Sequence, residues 1–335
     1  MEGPSFQKRI EKLRILMEKK RLDACLLSSR NDILYYTGRD IGDSCFLLVS
    51  ESKPVMFVTS LSNEVRPTKE FNAVFMRGLS DVAKRLRKFR RAGFDEYGTS
   101  YSTFSELKKA RTSLIPSSSV MKEPRMAKDE WEMEQIAKAA HIARKALSGL
   151  GDITGKSEIE VSGMIGSSFR KAGTKESFET IAASGRHSAF IHHKPDKMKV
   201  GKKDLVIVDA GAIYNSYCSD MTRTFCGNPG PREKAMMENI SQIQGELIDT
   251  ASEGAGYEDI QKRYGSLMRK KGYRVMHSFG HGIGLGVHER PAKGDTLKEG
   301  MVITVEPGAY VRNLGGCRIE DMLVIRKGKA RILTK

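Results

Sequence analysis

Four acidic residues stand where an acidic side chain is costly. Asp209 follows the apolar run LVIV at 205–208, and Asp220 comes eleven positions later. A hairpin through this stretch would bring both carboxylates to one side of a sheet. A buried carboxylate without a partner destabilises a fold. Two such groups side by side repel unless a cation lies between them. The same spacing also suits two turn aspartates, one on each side of a loop. Glu306 follows MVITV and is fixed by the Pro307-Gly308 turn, while Glu320 lies in GGCRIEDMLVI, a strand that becomes apolar again. Arg318, two positions before Glu320, shares its face in such a strand, so an ion pair is an alternative for that carboxylate.

Six of the seven histidines (His187, His192, His193, His277, His281 and His288) fall within about a hundred residues. His281 is surrounded by Gly280, Gly282, Gly284 and Gly286, and His288 follows shortly after. Glycines let the backbone approach closely, so His281 and His288 could face one cavity. A set of four carboxylates and one imidazole suits manganese, cobalt, iron or zinc, and does not resemble a structural thiolate site. With two carboxylates bridging, such a set holds two ions about 3.5–4 Å apart, the spacing of two-metal hydrolases.

The elements that must carry these residues are readable in outline. Phe6, Ile10, Leu13, Leu16 and Met17 recur at helical spacing over residues 5–20. ACLLSS, CFLLVS and PVMFVTS read as strands, RNDILYYTG among them as a segment of turn signals, 80–92 as a basic helix, and AGFDEY as a further strand. This alternation implies a small α/β layered domain. The Pro- and Ser-rich stretch LIPSSSVMKEP reads as a loop and sets the expected boundary, giving domains at 1–122 and 123–335. Beyond it the pattern predicts a long amphipathic helix with Ile136, Ala139, Ala140, Ile142 and Ala143 on its apolar face. Further helices follow at about 157–172, 231–252 and 256–271. DLVIVDAGAIY, CSDMTRTFC, MVITVEPGAY and RIEDMLVIR are strand candidates, and their spacing favours antiparallel hairpins over βαβ units. The expected second region is therefore α+β. No internal repeat is visible by eye, although two similar α-β halves would escape that test.

The 335 residues suffice for two domains with sizeable cores. Hydrophobic residues make up 39% and charged residues 29%, which excludes a disordered or collagen-like chain. The net charge of +16 is spread over scattered Lys and Arg without interleaved aromatics, so a Lys-rich surface is favoured over a nucleic-acid groove. Five cysteines without a CxxC pair argue against a disulfide scaffold and fit a reducing cytosol. The charged, amphipathic N-terminus has no signal-peptide core, and no apolar run spans a bilayer. The expectation is a cytoplasmic protein with no membrane partner.

Five ordered segments, ASGRHSAFIHH, DAGAIYNSYCSDMTRT, GHGIGLGVHE, VEPGAY and GGCRIED, resemble the pita-bread metallopeptidases of peptidase family M24. That family includes methionine aminopeptidase, aminopeptidase P and prolidase. Residues 1–122 more weakly resemble the creatinase-type N-terminal domain of the prolidase branch, best at RNDILYYTG. The resemblance implies an α+β catalytic domain behind a smaller α/β domain. It implies two divalent ions, Mn²⁺ or Co²⁺ first and Zn²⁺ or Fe²⁺ as alternatives, held by Asp209, Asp220, His281, Glu306 and Glu320. Asp220 and Glu320 would bridge. Glu306 would also relay the proton, His192 and His288 would hold the substrate carbonyl and the tetrahedral intermediate, and Arg318 would orient the carboxylates. His193 would be supporting, and His187 and His277 receive no role.

By the same resemblance the substrates are short proline-containing peptides cleaved before proline, and the chain forms a homodimer. Two departures stand out. Many prolidases carry an arginine after the proline of HExP, whereas HERPAKGD has Ala292 there, flanked by Arg290 and Lys293 as possible substitutes. SGRHSA also replaces the usual SGxNSA. The first departure keeps an aminopeptidase P acting on longer peptides as an alternative. A non-catalytic binding module is a remote one, because all five ligand residues are present.

Overall fold

The structure, a computed structural model, describes residues 3–41, 45–62 and 64–335. They divide into two compact units, residues 3–125 and 126–335.

In the first unit, α1 (Phe6–Lys19) starts at Ser5, whose side chain accepts the Lys8 N–H, and buries Ile10, Leu13 and Met17. β1 (Ala24–Leu27) follows, and then RNDILYYTG departs from expectation. It forms α2 (Arg30–Thr37), capped by Ser29 and ended by Gly38 in the left-handed conformation at φ 69°. The Ser, Asn, Asp and Gly read as turn formers are here a helix start and a helix stop. β2 (Phe46–Ser50), β3 (Val55–Val58), β4 (Asn72–Phe75), α3 (Leu79–Leu86), β5 (Arg91–Phe94), α4 (Tyr101–Lys108), β6 (Ser113–Pro116) and α5 (Ser118–Lys122) complete the unit. The sheet order is β4-β3-β2-β1-β5-β6, parallel at β3–β4, β1–β5 and β5–β6 and antiparallel elsewhere. The expected boundary loop therefore contains an edge strand and a short helix.

The second unit opens with α6 (Glu130–Ser148). Asp129 and Glu132 form a reciprocal capping box, and Ala139, Ala140, Ala143 and Ala146 are buried. Small side chains on that face let sheet and helix approach closely. α7 (Glu158–Lys171) has its own capping box from Ser157 and Glu160. The two helices pack on an antiparallel sheet of β7 (Ile181–Ser184), β8 (Val206–Ala210) and, after the short pair β9 (Ile213–Tyr214) and β10 (Tyr217–Cys218), β11 (Met221–Phe225). α8 (Pro231–Thr250) and α9 (Tyr257–Lys270) then cover a second set of antiparallel strands: β12 (Val302–Val305), β13 (Gly308–Val311), β14 (Gly315–Arg318), β15 (Asp321–Val324) and β16 (Arg331–Ile332). Every strand pairing in this unit is antiparallel. Each half is thus two helices over an antiparallel sheet, an architectural repeat that leaves no visible trace in the residues. Glu320 lies in the two-residue break between β14 and β15, not inside a strand.

Candidate metal centre and cleft

The two halves deliver their carboxylates in the same manner. Asp209 lies on β8 opposite Thr222, and Asp220 immediately precedes β11, β8's hairpin partner. Glu306 immediately follows β12, and Glu320 immediately precedes β15, with which β12 pairs. In each half one acid stands near the end of a strand and the other just before its antiparallel partner.

Backbone contacts fix the ends. The Glu306 N–H donates to the Phe279 carbonyl at 2.7 Å, and the Glu320 N–H donates to the Thr222 carbonyl at 3.1 Å. His281 comes from the glycine-rich loop. A Cβ on Gly280 would overlap the Thr304 carbonyl oxygen, and one on Gly282 would overlap that of Arg290, so glycine is required at 280 for the approach to β12 and at 282 for the loop to fold back on its own Arg290.

His281 Nδ1 contacts the Gly282 carbonyl at 3.1 Å, which selects the Nδ1–H tautomer and turns the Nε2 lone pair inward. That Nε2 lies 3.6 Å from both Asp220 Oδ2 and Glu306 Oε1. Donor atoms of Asp220, His281 and Glu320 all fall within 4.8 Å of one another.

Arg318 is buried and forks over the site. Its Nη2 donates to Asp209 Oδ2 at 2.7 Å, Nε to Thr222 Oγ1 at 3.2 Å and Nη1 to the Tyr310 hydroxyl at 2.8 Å. Its ion pair is therefore with Asp209. The pairing with Glu320 considered from the sequence is not the one formed. Glu320 instead accepts from the Thr222 hydroxyl at 2.9 Å.

One oxygen on each of Asp209, Asp220 and Glu320 is buried with no hydrogen-bond partner. Burial and the neighbouring carboxylates push the Asp220 and Glu320 carboxyls well above their usual range. Burial likewise lifts Glu306 to about 8, opposed by Arg318 and helped by Asp209. Burial, then His288, lowers His281 to about 4, leaving a neutral imidazole. Orphaned oxygens, crowded anions and a neutral imidazole aimed among them fit divalent cations and little else.

A cavity of about 510 Å³ opens above this floor. Phe178, Ile181, Ile191 and Val287 give it apolar walls, and His192 and His288 line it. The His288 ring meets His281 edge-on with centroids 4.3 Å apart. Arg290 and Lys293 do not line the cavity. Arg290 forks onto the Asp295 carboxylate, and Lys293 is exposed with its ammonium 3.8 Å from Glu258.

Sequence reasoning passed over two residues here. His277 lines the cavity, with Nδ1 on the Ser278 carbonyl at 2.8 Å and Nε2 on the Tyr310 hydroxyl at 2.9 Å. Tyr310 accepts from Arg318 and so donates to His277. This polar chain runs Arg318–Tyr310–His277 and reaches within 3.8 Å of Glu306. The available signal was the position of Tyr310 two residues beyond the turn in VEPGAY, on the same strand face as Gly308. His193 binds Glu158 and is taken up below.

The description "Metallopeptidase family M24" matches residues 134–327, more than half of the chain. The chain belongs to metallopeptidase family M24. Residues 9–127 match the "Creatinase/Prolidase N-terminal domain". Among the relatives of this M24 chain is the Xaa-Pro dipeptidase of Pyrococcus furiosus, 32% identical over 344 residues with 98% of each chain covered. The solved prolidase of Pyrococcus horikoshii OT3 superposes with a TM-score of 0.92 at 31% identity, covering 98% of both chains. The X-Pro aminopeptidase of Thermotoga maritima superposes with a TM-score of 0.88 at 30% identity, covering 97% of both. The fold is that of an M24 pita-bread domain behind a creatinase-type N-terminal domain.

Proposed function

We propose that this M24 chain is a metal-dependent peptidase that hydrolyses the Xaa-Pro bond of dipeptides and short peptides. The observation that carries the reading is the convergence of Asp209, Asp220, His281, Glu306 and Glu320 around three orphaned carboxylate oxygens. These five residues would hold two divalent ions, Mn²⁺ or Co²⁺ before Zn²⁺ or Fe²⁺. Bound there, such ions supply a hydroxide nucleophile at neutral pH and polarise the scissile carbonyl.

The chain's own residues do the rest. Glu306 takes the proton of the attacking water and returns it to the leaving proline nitrogen. His192 and His288, both on the cavity wall, donate to the carbonyl oxygen as negative charge grows on it. Arg318 holds Asp209 in register, and the apolar walls exclude water from the pyrrolidine ring. Residues 1–122 and 123–335 are proposed as the N-terminal and catalytic domains. A homodimer in the cytoplasm, acting on peptides and not on nucleic acid, is the accompanying expectation. No helix among the described residues is long and apolar enough to cross a membrane.

A second reading, an aminopeptidase acting on longer peptides, is favoured by one observation. Ala292 has no charge to receive a dipeptide's C-terminal carboxylate, and Arg290 and Lys293 face Asp295 and Glu258 instead. Manganese- or cobalt-dependent release of proline from Leu-Pro, measured beside release of leucine from a Leu-Pro-containing tripeptide, separates the two. Preference for the dipeptide supports the first and preference for the tripeptide the second. An intact Xaa-Pro bond in every peptide, with metal bound, would overturn both.

A further inference from the structure

We propose a second, separate cation site in this chain, built from Glu158, His187, His193 and Asp196 and suited to zinc or a similar borderline transition metal. None of these four belongs to the five-residue centre. Glu158, at the first turn of α7, is completely buried, and both histidines are largely so. His187 Nδ1 lies 3.1 Å from Glu158 Oε1, His193 Nε2 lies 2.8 Å from Glu158 Oε2, and Asp196 Oδ1 lies 3.8 Å from His187 Nδ1. One donor atom from each of the four falls within 4.8 Å of all the others. Tetrahedral bonds of about 2.0–2.2 Å separate ligand atoms by roughly 3.3–3.6 Å, and the three distances bracket that range.

The donor set is two imidazole nitrogens and two carboxylates, whose two negative charges a divalent ion neutralises. The rings lie 4.2 Å apart at 33°, and each places a nitrogen against the Glu158 carboxylate. Ser184 and Asp196 N–H groups donate to Glu158 at 2.7 and 3.1 Å and would fix its orientation around an ion. Asp196 is half-exposed, at 53%, and opens the cluster to solvent.

His187 is the residue that departs from the SGxNSA pattern, so the pair of imidazoles is a property of this sequence. An ion here would tie α7 to the segment that carries His192, one residue from His193. Binding requires the Glu158-facing nitrogen of each ring to be unprotonated, with the proton carried on the ring's other nitrogen.

The test is zinc uptake by the full chain, freed of metal by chelation and then titrated in a metal buffer, with zinc per chain counted by elemental analysis. Wild type is expected to take up one zinc more than His187→Asn, whose amide can still donate a hydrogen bond. Asp220→Ala is expected to keep the His187-dependent zinc, and X-ray absorption of that zinc to report two imidazoles, where the main centre offers one. Equal zinc counts in wild type and His187→Asn would overturn the proposal, as would one imidazole or none in Asp220→Ala. The outcome does not depend on peptide cleavage, so it stands or falls apart from the proposed activity.

Discussion

Asp220 and His192 line one cavity, yet their losses should look different. Asp220→Ala or Glu306→Ala removes a proposed ligand from a site of mutually repelling groups, so metal content and peptidase activity are expected to fall together. Metal analysis of the purified variants checks this, and full metal retention in Asp220→Ala would discard the ligand set. His192→Ala removes only a donor to the reacting carbonyl. It should keep its metal and lose turnover by roughly 10²–10³-fold, the scale of one oxyanion donor. A variant that loses metal as well would make His192 part of the centre. At this scale the four acids, His281 and His288 stand out in the sequence, because apolar runs ending in an acid and a glycine-rich stretch mark them; His192 is reached only through the family resemblance. The partner of Arg318 was not. Alternation along a strand predicted Glu320, but β14 ends at Arg318, so the rule that places i and i+2 on one face stops applying there. His277 and Tyr310 were missed because their contact joins segments 33 residues apart.

Element by element, the glycine loop is where backbone approach decides the site. Gly282→Ala would drive a methyl into the Arg290 carbonyl. A cost of about 1–3 kcal/mol is expected for such overpacking, together with weaker metal binding as His281 shifts. Gly163→Ala is the control. It lies within α7 with nothing near its would-be Cβ, and it should gain about 0.5–1 kcal/mol from helix propensity. Denaturant midpoints check both, and equal signs for the two would remove the argument from close approach. The last three helices of the second unit were readable to within two residues from their amphipathic periods, while α6 begins four residues later than expected, at the Asp129–Glu132 capping box. The first unit was harder. β4 is a four-residue edge strand, mostly exposed, and β6 ends in a proline, so neither carries a buried alternation. α2 is eight residues long and begins and ends in residues that also make turns.

For the whole molecule the concentrated charge at the centre becomes a pH dependence of stability. Without metal, Glu306 titrates near 8 when folded but near its ordinary 4.5 when unfolded, and Asp220 and Glu320 are raised in the same direction. The folded state then binds more protons, so stability falls as pH rises toward 8. His277 and His281, lowered from 6.5 to about 4, act oppositely below 6.5. The window where the carboxylates act alone is therefore 6.5 to about 8. Metal-free protein should lose thermal stability across it, and metal-loaded protein should not, because cations remove the cause. Calorimetry on both forms decides, and a metal-free protein that grows more stable across that window would contradict the centre's electrostatics.

The mirrored delivery of the acids reaches further than the cleft. One half supplies Asp209 and Asp220, the other Glu306 and Glu320, so the proposed ions act as a clasp whose grip reports on the packing of both sheets. A core defect well away from the cleft, such as Ile240→Ala in α8, loosens one jaw of that clasp. Its first sign should be a higher metal requirement for activity. At saturating metal, affinity for the peptide should be unchanged.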